Sequence, residues 1–291
     1  MADTQDLTVP SLFNVKGWVA VVTGGGTGLG LITARALAAN GVKVYITGRR
    51  AEKLEEAEMQ DSASGGSIIG VQMDITDKES IEAGVKHISE KENHLNLLVN
   101  NAGQTSVNYG SNGTPKGSVE EISQTMLSNQ TFDNWTSIYE VNVASYYFTS
   151  AAFLPLLCAA RDTSNYPEPG SILNISSISG ITKESQNGQF SYNASKAATI
   201  SLTEQLAVDF KRPGLEVRVN TLAPGYFPSQ MTPIGVESHE AKEHFRTKWG
   251  IPLGRAGEPR DYAQAVLNFA VNRYVTGSTL VIDGAWLLAH A

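Results

Sequence analysis

Cysteine is nearly absent: Cys158 is the one thiol in 291 residues. That excludes an internal disulfide and any cysteine-built metal site. Cys158 ends the apolar stretch Ala151-Ala-Phe-Leu-Pro-Leu-Leu-Cys158, so packing in the core is its expected fate. Basic charge is scarce too. The 22 Lys and Arg against 29 Asp and Glu leave a net −7, with no basic stripe to track a nucleic acid. No apolar run approaches the ~20 residues of a membrane helix. The opening Met1-Ala-Asp-Thr-Gln-Asp-Leu has two acids and no apolar core, unlike a secretory signal. The closing Leu-Ala-His290-Ala291 matches no lipidation or peroxisomal tag. A cytoplasmic protein with neither nucleic acid nor membrane as partner is expected. The five histidines do not cluster at metal spacing, apart from His239, Glu240, Glu243 and His244. That run reads as the solvated face of a surface helix, and no metal site is expected.

What is present is a core and a rhythm. At 41% apolar and 18% charged, the chain buries too much to be disordered. Short apolar runs at 18–22, 42–47, 67–73, 95–100, 170–176, 216–222 and 278–283 read as strands. Helix-period segments at 29–40, 50–60, 77–92, 131–160, 192–211 and 258–272 alternate with them. Repeated β-α units demand parallel pairing with right-handed crossovers. The expected fold is therefore α/β, a doubly wound parallel sheet of about seven strands with helices on both faces. It forms one domain over 16–291, after an N-terminal extension of 1–15. Two segments exceed a minimal connection. Residues 104–130 are polar, with weak helical character at 119–127, and read as an inserted loop. Residues 225–250, helical near 240–249, read as a cover on the substrate side.

Thr23-Gly24-Gly-Gly-Thr27-Gly28-Leu29-Gly30 sits where the first strand meets the first helix. Glycines there allow a sharp turn and a close backbone approach by a pyrophosphate. The helix start then offers free amides and the positive end of its dipole. This context, strand then helix, makes dinucleotide binding the expected use of Gly24, Thr27, Gly28, Leu29 and Gly30. Tyr192 and Lys196 are four apart at a helix start and so share a face. A fixed ammonium can lower a phenol's pKa, which lets tyrosine give a proton to a carbonyl oxygen or take one from an alcohol.

The glycine spacing is Gly-x-x-x-Gly-x-Gly. Asn100-Asn-Ala-Gly103, the pair Ser176-Ser177, Tyr192-Asn-Ala-Ser-Lys196 and Pro224-Gly225 follow in order. With these the chain resembles the short-chain dehydrogenase/reductase family, in particular fungal 3-oxoacyl-carrier-protein-reductase-like members. The resemblance implies a Rossmann-like fold and a catalytic set of Asn142, Ser177, Tyr192 and Lys196. Ser177 is selected because the family's serine stands three before a glycine, here Gly180; Ser176 and Ser179 are the alternatives, read as strand-end or turn residues. Ser177 lies two residues further from Tyr192 than is usual, so a longer loop at 182–190 is expected. Asn142 would hold a water of a proton relay, or else satisfy a helix kink. Asp74 and Ile75 would meet adenine. Asn101, Ala102 and Gly103 would lie at the adenosine ribose, with Asn101 equally suited to bracing the sheet. Pro224, Gly225, Phe227, Ser229 and Met231 would line the nicotinamide side. Tyr192 and Lys196 would also contact the cofactor, with Lys196 fixing the ribose.

The second strand ends Thr47-Gly48-Arg49-Arg50, with glycine where an NAD site places an acid. Arg49 and Arg50 can pair with a 2′-phosphate, so NADP(H) is the expected cofactor; otherwise they solvate a helix start. Residues 104–130 are expected to form a rim of the substrate pocket or an oligomer contact. The resemblance also implies a homotetramer or homodimer with contacts from the last helix and strand. The expected activity is NADPH-dependent reduction of a small-molecule carbonyl, such as a polyketide or 3-oxoacyl compound. The alternatives are an NAD-linked alcohol dehydrogenase, a nucleotide-sensing binding protein, and a cyclase or dehydratase in the same pocket.

Overall fold

Four strands are buried on both faces: β1 (Val19–Thr23), β5 (Leu97–Asn100), β6 (Ser171–Ile175) and β7 (Arg218–Pro224). The structure, a computed structural model, describes residues 6–60, 63–110, 113–162, 168–228 and 241–290. The remaining strands are β2 (Lys43–Gly48), β3 (Met59–Gln60), β4 (Ser67–Gln72) and β8 (Thr279–Ile282). They form one sheet in the order β3-β4-β2-β1-β5-β6-β7-β8. Every pairing is parallel except β3 with β4.

The helices are α1 (Val9–Leu12), α2 (Gly28–Ala39), α3 (Ala51–Glu55), α4 (Lys78–Ser89), α5 (Val119–Asn129), α6 (Phe132–Tyr139), α7 (Ser145–Ala159), α8 (Phe190–Phe210), α9 (Ala241–Thr247), α10 (Pro259–Val271) and α11 (Trp286–Ala289). Side chains along β1 alternate between two cores. Ala20 and Val22 join Leu37 of α2 and Phe269 of α10. Val19 and Val21 join Ile88 of α4, Phe153 of α7 and Phe210 of α8. Each of the larger of these buried side chains stabilises by about 1.5–3 kcal/mol, far more than helix propensity supplies per residue. The chain runs outward from β1 to β2 and β4, then returns to β5 on the other side of β1. At that switch point the connections diverge and open a crevice above the carboxyl ends of β1 and β5.

Differences from the sequence reading have local causes. Helix 50–60 stops at Glu55, and Met59–Gln60 becomes an eighth strand. Glu58 Oε1 accepts the Gly70 N–H at 2.8 Å and draws the chain onto the edge of β4. The inserted segment is not all loop. Ser118 Oγ accepts from Glu121 N–H at 3.2 Å while Glu121 Oε2 accepts from Ser118 N–H at 2.8 Å, a capping box that starts α5. The helix at 131–160 is continuous but carries a π-helical segment at Glu140–Ala144, with Asn142 inside it. With that join, Phe132–Asp162 is long and apolar enough to cross a membrane, at a mean hydropathy of 1.5. The sequence reading expected no run of that length. Phe153 and Leu157 of this helix are fully buried in the sheet core. Cys158 is partly exposed and packs against that core.

Candidate active site

The glycine turn folds against β5 rather than standing alone. Gly24 has φ +65°, and a Cβ there would lie 2.9 Å from Ala102 Cα. At Gly30 a Cβ would overlap the Gly24 carbonyl oxygen, so the turn tolerates no side chain at either position. Asn101 braces this arrangement. Its Nδ2 donates to Thr23 O at 2.9 Å and to Gly24 O at 3.3 Å, and its N–H donates to Thr23 Oγ1 at 3.0 Å. Thr27 precedes α2 without a side-chain cap, which leaves the first amides of the helix free for an anion.

A cavity of about 1100 Å³ runs from this turn across the switch point. Gly24, Thr27, Gly28 and Leu29 line one end. Arg49, Arg50, Asp74 and Ile75 line the flank beyond Gly48. Burial raises the Asp74 carboxyl, but hydrogen bonds from Thr76 N–H and Oγ1 and the nearby Arg49 outweigh it and hold the carboxyl below its usual range. Asn101, Ala102, Gly103, Pro224, Gly225 and Phe227 also reach the wall. Gly30 and Asn142 stand behind it. Ser229 and Met231 lie outside the described residues. Among the described residues no His, Cys, Asp and Glu group could hold a metal ion.

At the other end β6 runs into Ser177 and a tight turn, Ile178–Gly180. Gly180 presses on α8: a Cβ there would lie 2.6 Å from the Lys196 carbonyl carbon. That contact brings Ser177, Tyr192 and Lys196 onto one wall. Lys196 is 4% exposed, and its Nζ donates to Ile175 O at 2.9 Å. It stands 5.8 Å from the ring centres of both Tyr192 and Tyr146. Tyr146 Oη lies 3.1 Å from both Ala102 O and Ile175 O. The sequence reading missed Tyr146, although it falls one turn after Asn142 on the same helix. It also missed Trp286 and His290, which close the cavity together with Trp249 of the expected cover. Their distance along the chain left no signal.

Asn142 explains its own π segment. Oδ1 accepts the Gln104 N–H at 2.8 Å, and Nδ2 donates to Gln104 O and Ser195 Oγ, each at 3.0 Å. These bonds tie the start of the polar segment to the helix that carries Tyr192, and they suit the kink role. Oδ1 keeps one lone pair. It and Lys196 Nζ face the same gap beside Gly103, 3.4 Å and 3.5 Å from where a Cβ would sit.

Burial raises the Tyr192 phenol above its usual value, and the Ser177 hydrogen bond only partly offsets this. Burial also lowers Lys196 to about 7. The lowered phenol expected from sequence is therefore not the state of the protein alone, because the ammonium is itself poorly solvated. Lys196 binds fewer protons folded than unfolded between pH 7 and its ordinary value near 10.5, so it makes stability rise across that window. Lys196→Met removes the buried charge. At pH 6 the variant should melt above wild type by at least roughly 2–4 °C, the shift per kcal/mol for a chain of this size. The gap should close as pH rises to 10, as read by calorimetry. A variant that melts lower at pH 6 would show that the lysine is held at no cost.

A family model for short chain dehydrogenases matches residues 18–238. The chain belongs to the short-chain dehydrogenase/reductase family. It is 38% identical to the short-chain dehydrogenase/reductase PhomF of Diaporthe leptostromiformis, over 98% of this chain and 96% of that one. It is 31% identical to the 3-oxoacyl-[acyl-carrier-protein] reductase FabG of Chlamydia pneumoniae, over 91% and 94%. The Pseudomonas aeruginosa RhlG/NADP active-site complex superposes with a TM-score of 0.77 at 28% identity, over 94% and 98%. Short-chain dehydrogenases/reductases bind a nicotinamide cofactor and interconvert alcohols and carbonyls, so this chain is an oxidoreductase of that couple. The glycine turn that no Cβ could enter and the uncapped start of α2 fit such a cofactor.

Proposed function

We propose that this oxidoreductase reduces a ketone or aldehyde with NADPH. The observation that carries the reading is the one cavity wall that holds Ser177, Tyr192 and Lys196 together. A phenol that keeps its proton at neutral pH is ready to give it to a carbonyl oxygen. A bound nicotinamide supplies the hydride. Ser177 Oγ donates to the carbonyl oxygen and stabilises charge developing there. Tyr192 Oη donates the proton. Lys196 holds the ribose side and Ile175 O, and the free lone pair of Asn142 with Lys196 flanks the gap through which a proton returns. Arg49 and Arg50 favour the 2′-phosphate, in line with the NADP named for the RhlG complex.

The FabG relative supports 3-oxoacyl or polyketide-like substrates of secondary metabolism, and we infer a cytoplasmic setting. Tyr274 and Leu288, fully and 87% exposed near β8 and α11, support self-association as a homotetramer or homodimer. The test is a panel of β-keto thioesters, cyclic ketones and quinones, followed by NADPH consumption, with NADH in parallel. Consumption with at least one class, and weaker turnover with NADH, is the expected result. Oxidation of alcohols with NAD alone would favour the dehydrogenase alternative.

A further inference from the structure

The segment between the Ser177 turn and α8 reverses through three consecutive left-handed residues. Gln186 has φ +47°, Asn187 +67° and Gly188 +84°. Glycine adopts this freely, whereas glutamine does so only where its surroundings hold it. Residues 104–110 are what holds it. Tyr109 N–H donates to Asn187 O at 3.0 Å, and Asn187 Nδ2 donates to Gly110 O at 2.9 Å. The Tyr109 ring lies so close over Gly188 that a Cβ would overlap it. The front of the polar segment is thus a clamp on this turn.

The clamp presents a carboxamide. Gln186 lies on the cavity wall. Gln186 Oε1 is buried and has no hydrogen-bond partner. A buried acceptor left open in a cavity wall is completed when a ligand donates to it. Beside it stand the rings of Tyr226, Trp249 and Trp286, with Tyr226 edge-to-face on the two tryptophans at 5.3 Å and 5.9 Å. They offer apolar area to a ring skeleton.

We propose that Gln186 sets substrate specificity: its carboxamide oxygen accepts a hydrogen bond from a hydroxyl carried away from the reacting carbonyl, so the site takes hydroxyl-bearing cyclic ketones. This rests on the carbonyl-reductase reading of the same cavity. The probes are the 5-, 6- and 7-hydroxy-1-tetralones, their methyl ethers and 1-tetralone. In wild type at least one hydroxyketone should exceed both its methyl ether and 1-tetralone in kcat/KM by about 10- to 100-fold, the worth of a buried hydrogen bond. Gln186→Met, which lacks the acceptor, should bring that ratio close to one. Gln186→Glu, which keeps an acceptor, should retain most of it. Gln186→Gly relaxes the backbone and should also lose the ratio, so a folding defect in the methionine variant does not decide the matter. Equal rates for every pair in wild type, or an unchanged ratio in both Gln186→Met and Gln186→Gly, would overturn the proposal. If no ketone is reduced, the reductase reading fails separately. The same pairs are then compared as Kd values by quenching of tryptophan fluorescence, and the same ratios decide.

Discussion

Tyr192→Phe should lower kcat for carbonyl reduction by about 10²- to 10⁴-fold, the range for loss of a positioned general acid. The change removes one oxygen. The ring stays packed and Lys196 keeps its bond to Ile175 O, so the melting temperature should move little. NADPH affinity, read by fluorescence titration, should be nearly unchanged. A variant that keeps more than about a tenth of wild-type turnover would show that the proton comes from elsewhere. The pH dependence gives a second check. The phenol is raised, so the wild-type rate should hold through neutral pH and fall only as pH approaches or passes the ordinary tyrosine value near 10. A rate that rises with pH between 7 and 9 would contradict a proton donor that burial keeps protonated.

The fold was legible where one principle acted alone. β1 and β5 are buried on both faces, so their apolar runs needed no interpretation. β3 was not legible, because a two-residue strand exists only through the Glu58–Gly70 contact with a neighbour. The π segment lay in between. Asn142 is a poor helix residue, which signalled that something was there, but its partners Gln104 and Ser195 are brought in by tertiary structure.

The same division runs through the candidate site. Tyr192 and Lys196 are a turn apart, so helical periodicity alone puts them together. Gly24 and Gly30 showed themselves because no other residue fits where they stand. Gln186 gave no sign. Its left-handed backbone is imposed by Tyr109 and Gly110, far away in sequence, and glutamine is not a residue that marks such a turn. The electrostatics were hardest to foresee. Spacing suggested an ammonium that lowers a phenol, while burial of both groups decides the balance in the protein alone.

Arg49→Asp should swing the coenzyme preference. β2 ends at Gly48 without an acid, and the flank beyond it carries Arg49, Arg50 and Lys53. Lys53 is engaged by Glu56 at 2.6 Å. Arg49 influences Asp74 only at longer range, which leaves its guanidinium for a ligand. A 2′-phosphate pairing bidentately there gains about 1.5–3 kcal/mol per charged hydrogen bond, less screening because Arg49 is exposed. The aspartate removes that pairing, repels the phosphate and offers an acceptor to a ribose diol. The ratio of kcat/KM for NADPH over NADH should fall by about 10²- to 10³-fold, since about 1.4 kcal/mol is a factor of ten. Most of the change should appear as a higher KM for NADPH, because the contact is made equally before and during hydride transfer. Raising ionic strength should shrink the wild-type preference in the same direction. A wild type that prefers NADH, or a variant whose ratio is unchanged in both low and high salt, would leave the arginines as a solvated helix start.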